Sequence, residues 1–164
     1  MKTNADLTFA RAHELFSFEP STGNLIRKIQ RGPGKVGDIA GSAHSAGYRA
    51  VMADGVNYMV HRVIWLMLNG VWPVDLIDHR NGGRSDNRLD NLRDVTPTVN
   101  LQNQRGAKPS NSTGLLGVTP RGSKFQAQIS HAGKNNWLGN FNTPELAHSA
   151  YLTAKRQLHT GCTT

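Results

Sequence analysis

The stretch 76–104, LIDHRNGGRSDNRLDNLRDVTPTVNLQNQ, sets a carboxylate, an imidazole and several side-chain amides close together in one short run. Leu76 to His79 reads as a short apolar strand that ends in two reactive side chains, Asp78 and His79. The Asn81-Gly82-Gly83 run after it suits the positive φ angles of a tight loop. Residues 91–95 read as a return strand. Thr96 is placed to cap a helix and Pro97 suits its first position, so a helix starting there carries Asn100 back toward the strand ends. The predicted unit is two strands and a helix around one small site.

Neighbouring side chains on a strand point to opposite faces. Asp78 and His79 are therefore expected to flank a phosphate, with a metal ion on one side and an attacking water on the other. The Asp78 carboxylate and the Asn100 amide oxygen are hard donors suited to one divalent metal, Mg²⁺ or Mn²⁺, which keeps several waters and takes further ligands from a phosphate. His79 supplies an imidazole, the side chain most often used to take a proton from an attacking water. Asn91, expected opposite it on the return strand, is predicted to bond one imidazole nitrogen and leave the other to act as base. Asp86 and Asn87 are expected only to shape the loop through side-chain to backbone bonds. A lone Asp-His pair is most often structural; here four positions and a helix cap agree on phosphodiester hydrolysis.

These residues resemble the HNH nucleases with the ββα-metal motif, in particular the His-Asn-Asn variant of phage and intron homing endonucleases. That variant has an Asp-His pair, an Asn twelve residues after the His and another nine further on, which fall here on Asp78, His79, Asn91 and Asn100. The preceding VHRVIWLMLNGVWP, 60–73, and DNRLDNLR, 86–93, are also similar to the family. Asn100 stands where the family name has a second His, which removes one imidazole ligand. The resemblance implies a His79 base, an Asn91 that orients it, and a metal held by Asp78 and Asn100.

The chain has 164 residues, 37% hydrophobic and 7% aromatic, which suits several small modules better than one large core. Cys162 is the only cysteine, so neither an internal disulfide framework nor a four-cysteine zinc site is available. The opening Met-Lys-Thr-Asn-Ala-Asp lacks an apolar leader and no apolar run is long enough to span a bilayer. The expected setting is the reducing cytoplasm of a bacterial host cell, with no membrane association and no protein partner indicated.

A formal net charge of +8 points to a polyanionic partner, and its distribution is uneven. Residues 1–60 hold seven basic against five acidic side chains, 61–104 hold five against five, and 105–164 hold seven against one. Within the basic third, 105–113 (RGAKPSNST) is polar and broken by Gly106 and Pro109, and reads as a linker. Beyond it, 115–119 reads as a strand, Phe125 to Ile129 alternates apolar and polar, and 137–141 forms a third strand. Thr143 and Pro144 then open a helix with Leu146, Ala147, Ala150, Tyr151, Ala154 and Leu158 at helical spacing. Phe125, Ala127 and Ile129 are expected to face that helix.

This pattern, with GVTPRGSKFQAQI at 117–129 and NNWLGNFNTPELAHSAYLTA at 135–154, resembles the Apetala-type DNA-binding domain of plant ethylene-response factors, which also occurs appended to phage HNH nucleases. The resemblance implies that the exposed sheet face enters the major groove of double-stranded DNA through Thr119, Arg121, Gln126, Gln128, Ser130, Asn135 and Trp137, with Lys124 beside them. Thr119, Gln128, Ser130 and Asn135 stand where the plant family carries Arg or Glu, so the plant target sequence does not transfer.

Residues 1–60 say least. Phe9, Phe16 and Phe18 with Ser21-Thr22-Gly23 suggest an opening hairpin, and 47–59 around Asp54-Gly55 a second. Arg27, Lys28, Arg31 and Lys35 flank a glycine-bearing loop, equally suited to phosphates or to solvent. His61 and Arg62 start a helix through Ile64, Trp65 and Leu68 that Gly70 ends; His61 is expected to make a structural hydrogen bond, and Arg62 to hold a phosphate.

The expected architecture is α+β: β-hairpins over 1–60, a ββα-metal nuclease module over 61–104, a linker over 105–113, and a three-stranded antiparallel sheet packed on one helix over 114–164. The expected activity is metal-dependent cleavage of DNA, with a DNA-binding regulator built on a degenerate nuclease core as the alternative.

Overall fold

The computed structural model describes residues 6–162. Residues 1–5, which hold most of the stretch read above as lacking an apolar leader, and residues 163 and 164 lie outside them. The fold is mixed α+β, with small antiparallel sheets and four α-helices among the described residues. None of those helices is long and apolar enough to cross a membrane. The chain divides into two compact units, 1–96 and 97–164. The division falls ahead of the segment read as a linker, so the short helix bearing Asn100 is grouped with the second unit.

The first unit begins with α1 (Phe9–Leu15), where the Thr8 side chain caps the helix by accepting from the Arg11 amide at 3.2 Å. Phe9 is thus helical rather than part of the opening hairpin; a cap and a helix this short leave little periodic signal in sequence. The hairpin itself is β1 (Phe16–Glu19) paired with β2 (Asn24–Arg27). A second sheet orders β3 (Ser42–Ala43), β4 (Arg49–Ala53) and β5 (Val56–Met59). Asp54 and Gly55 join β4 to β5 with φ of 48° and 88°, the double left-handed turn that matches strand twist in a two-residue hairpin.

Helix α2 (Val60–Asn69) buries Val60, Val63, Ile64 and Met67 at helical spacing and ends at Gly70 in the left-handed region. Its apolar face packs in one cluster with Leu7, Leu15, Phe16, Leu25, Val51, Ile77 and Leu92. The unit closes with the hairpin β6 (Leu76–His79) and β7 (Leu92–Val95). Ile77 and Leu92 belong to the same core as α2, so the hairpin is anchored through its apolar side chains.

The second unit starts with α3 (Pro97–Gln102) and continues with a sheet ordered β10-β9-β8, from β8 (Val118–Arg121), β9 (Lys124–His131) and β10 (Lys134–Phe141). Helix α4 (Pro144–Leu158) is capped by Thr143, whose hydroxyl accepts from the Leu146 amide, with Pro144 at the first turn as expected. Ala127 and Ile129 are fully buried; Ala127 packs with Ala147 of α4, and Ile129 with Tyr151 and Ala154. Strand β8 starts three residues later than the sequence suggests. The Asn111 amide donates to the Leu115 and Val118 carbonyls, and Thr113 bonds Asn111, which holds 111–115 as a turn. The end of the stretch read as a linker is therefore tied to the sheet.

Gly117, at φ 79°, lies against the Tyr151 ring so closely that a Cβ would stand 2.0 Å from Cδ2. Gly117→Ala should destabilise the second unit by on the order of 3 kcal/mol, from backbone strain and overpacking combined. Amide exchange across β9 in the full chain checks it: faster exchange there is expected, and wild-type protection would refute the assigned packing.

Candidate active site

Along β6 the exposure pattern leaves Leu76 outside and buries Ile77, Asp78 and His79. The hairpin register sets Asp78 opposite Arg93 and His79 opposite Leu92. Directly paired residues share a face of the sheet, so Arg93 reaches Asp78: its Nε and Nη2 donate to Asp78 Oδ2 at 2.9 and 2.6 Å. Both partners are largely buried, which makes this a charge-assisted pair shielded from solvent. Asp94, the next residue along β7, accepts from the Val74 and Asp75 amides at 2.8 and 3.1 Å and fixes the entry into β6.

His79 Nε2 lies 3.0 Å from Asn87 Oδ1, and Asn87 is fully buried. An amide oxygen only accepts, so Nε2 carries the hydrogen and the basic lone pair falls on Nδ1. Asn91 does not make this contact. It ends a single 3₁₀ turn, Leu89–Asn91, ahead of β7 instead of opening the return strand. Its Oδ1 accepts from the Asn81 amide at 2.8 Å and its Nδ2 donates to the Asp86 carbonyl at 2.7 Å, while its own carbonyl accepts from the Arg80 amide. Asn91 thus staples both sides of the 80–91 loop, and Asn87 takes the imidazole. Asn87 and Asn91 lie four residues apart in an Asn-rich loop, and spacing alone does not distinguish them.

The rest of the loop is held by its own side chains. Asn81 Oδ1 accepts from the Gly83 amide at 2.7 Å and Asn81 Nδ2 donates to Asp86 Oδ2. Arg88 donates from Nε and Nη2 to the two Asp86 oxygens. The Arg88 hydrogen bonds, with Asn81 in support, hold the Asp86 carboxyl well below the usual carboxylate range.

Residues from earlier in the chain complete the wall of the site. The His61 ring meets the His79 ring edge to face, with centroids 5.1 Å apart at 85°. Tyr48 lies 5.3 Å from His61 and 5.9 Å from His79. Arg84 of the 80–91 loop stands over the other ring of this set, 5.2 Å from the Tyr48 centroid, and donates to the Ala46 carbonyl. The structural hydrogen bond expected of His61 is not found: its Nδ1 is buried with no partner. Burial, helped by nearby His79 and Arg62, pushes the His61 imidazole down to about 3, so it is neutral at physiological pH. Arg62 donates to the Asp75 carbonyl and covers the Trp72 ring, a structural use of a side chain expected at a phosphate.

In the second unit Asn100 is half-buried on α3. On the sheet, register aligns Thr119 with Gln126, Arg121 with Lys124, Gln128 with Trp137 and Ser130 with Asn135, so the eight candidate DNA-reading residues share one face. Arg121 Nε donates to Gln126 Oε1 at 3.0 Å, Gln126 Nε2 to Gln128 Oε1 at 3.4 Å, and the Ser130 hydroxyl to Asn135 Oδ1. Trp137 is 65% exposed, which places it on the surface of the sheet and not over a core.

The sequence profile described as HNH endonuclease matches residues 58–102, from the end of β5 through α3. That match supports a nuclease of the HNH class over a segment shorter than half the chain. No curated protein and no solved structure matches the chain.

His61 makes the fold sensitive to acid. Its folded-state proton affinity is depressed from the ordinary 6.5 to about 3, so its contribution is intact above pH 6.5 and is lost as pH falls toward 3. In urea titrations without metal, His61→Phe should remove about 2 kcal/mol of the stability lost between pH 7 and pH 5. Equal pH slopes for the two proteins would show that His61 is not buried as a neutral ring.

Proposed function

We propose that the chain is a metal-dependent endonuclease that hydrolyses phosphodiester bonds of double-stranded DNA through residues 61–104 and grips its substrate with the sheet of 114–164. The observation that carries this reading is the His79–Asn87 bond on β6, beside Asp78, inside the segment that matches the HNH profile. With Nε2–H directed to Asn87, His79 takes a proton from water at Nδ1 as the water oxygen attacks phosphorus and the leaving oxygen departs from the opposite side. Asn91 keeps the loop, and through it Asn87, in register with the imidazole.

Asp78 and Asn100 would hold the metal. Their oxygens are hard donors, and among the described residues no three His, Cys, Asp or Glu side chains converge. One carboxylate and one amide fit Mg²⁺ or Mn²⁺, which retain waters and bind substrate phosphate more readily than they fill an all-protein cage. When bound, the ion supplies positive charge to the phosphate and the leaving oxygen. Arg93 orients the Asp78 carboxylate through Oδ2. The same contact favours the alternative reading, a DNA-binding regulator with a degenerate nuclease core, since Arg93 engages an oxygen that a metal would also use.

Plasmid cleavage with Mg²⁺, Mn²⁺ and excess chelator separates the two. Cleavage that chelator abolishes is expected. His79→Ala should lower its rate about 10²- to 10⁴-fold with DNA affinity nearly unchanged. Asp78→Ala and Asn100→Ala should raise the metal concentration required, Asp78→Ala more, and Asn91→Ala should fall between them and His79→Ala in rate. Near wild-type cleavage by His79→Ala would end the base assignment, and activity in chelator would end the metal assignment.

The sheet face supports a separate expectation. Arg121→Ala and Lys124→Ala should each lower the slope of log affinity against log salt by about 0.9 if they touch phosphate. Gln128→Ala should relax base preference at one position by about 1–3 kcal/mol and leave non-specific binding in place. Unchanged slopes and an unchanged preference would assign this face to a partner other than DNA.

A further inference from the structure

We propose that Lys155, Gln102 and Gly161 are positioning residues that hold α3 in place and with it Asn100, a role that rests on Asn100 being a metal ligand. Helix α3 has six residues, none of them buried. Isolated helices shorter than about 12 residues are marginal in water, so a helix of this length takes its order from what it is fastened to. The fastenings come from the end of α4 and the turn after it. The Lys155 ammonium donates to the Gln104 carbonyl, just beyond α3. Gln102 Oε1 accepts from the Gly161 amide at 3.0 Å and from the Thr160 hydroxyl at 3.4 Å. Gly161 lies so close to α3 that a Cβ there would stand 2.3 Å from the Val99 carbonyl oxygen and 3.0 Å from Gln102 Cβ.

The grips fall on residues 99, 102 and 104, on both sides of Asn100. Successive residues of an α-helix are turned by about 100°, so a slip of α3 by one residue would swing Asn100 away from any ligand position. Lys155 is the anomaly that points to this role. It is 2% exposed, and desolvation pushes its ammonium below the ordinary lysine range. A buried amine costs more than an apolar side chain of similar length, which would pack α4 without that penalty. What the apolar side chain would lack is a donor for the carbonyl that follows α3. Ala147, Tyr151 and Ala154 of α4 pack with apolar side chains of β9, whereas Lys155 reaches the segment after α3. The helix that carries Asn100 is thus fastened to the helix that backs the reading sheet.

The test uses the full chain and the variants Lys155→Met, Gly161→Ala, Asn100→Ala and the double variant Asn100→Ala with Lys155→Met. Amides of α3 should lose exchange protection in Lys155→Met and Gly161→Ala. Mn²⁺ affinity, read from the EPR signal of the free ion, should fall about 10- to 100-fold in both, as in Asn100→Ala. The salt dependence of DNA binding should stay as in wild type, and saturating metal should restore most of the cleavage rate. Because Lys155 acts through Asn100, the double variant should bind Mn²⁺ no more weakly than Asn100→Ala, whereas independent effects would add. Wild-type exchange in α3, or a double variant weakened by the full further effect of Lys155→Met, would overturn the proposal and leave the nuclease reading standing. Unchanged Mn²⁺ affinity in Asn100→Ala would overturn the metal assignment, and the positioning role with it.

Discussion

An imidazole has two nitrogens, and which of them carries the hydrogen is set by the partner it meets. In this chain the choice is made by Asn87 Oδ1, buried 3.0 Å from His79 Nε2. Several other contacts fix the loop that carries Asn87. Asn91 staples the loop across Asn81 and Asp86, Arg88 locks Asp86, and Ile77 and Leu92 tie the strands to the α2 core.

Much of the local structure was legible from the chain. The strand before Asp78-His79, the Gly70 stop, the Asp54-Gly55 turn, the alternation of Phe125 to Ile129 and the Thr143-Pro144 helix start each rest on neighbours a few residues apart, where turn chemistry and periodicity act. The contacts that complete the wall of the site rest on long separations and were not legible. Tyr48, His61 and His79 come from three different elements, and no spacing rule links them. The choice between Asn87 and Asn91 was hidden for another reason: both are amides in one loop, and only the 3₁₀ turn before β7 turns Asn91 away from the ring.

The sheet of the second unit shows how similar patterns serve different ends on two faces of one strand. Ala127 and Ile129 point to α4, and Gln126, Gln128 and Ser130 point outward into a lattice of side-chain hydrogen bonds with Arg121 and Asn135. These bonds present amides and a guanidinium in fixed orientation on a nearly acid-free segment. Such preorganisation lowers the entropy cost of docking polar groups on a polar surface.

Gly23 closes the first hairpin with φ 74°, and its backbone lies so near the loop that a Cβ there would stand 2.5 Å from the Arg88 nitrogen and 2.7 Å from the Asn87 carbonyl carbon. The turn between β1 and β2 is thus pressed against the peptide that carries the partner of His79. The β6–β7 hairpin is therefore a poor cassette. Moved to another scaffold without residues 16–62, it would bring its sequence signature but neither the floor under Asn87 nor the rings around His79, and recombination that keeps this geometry would have to carry those residues with it.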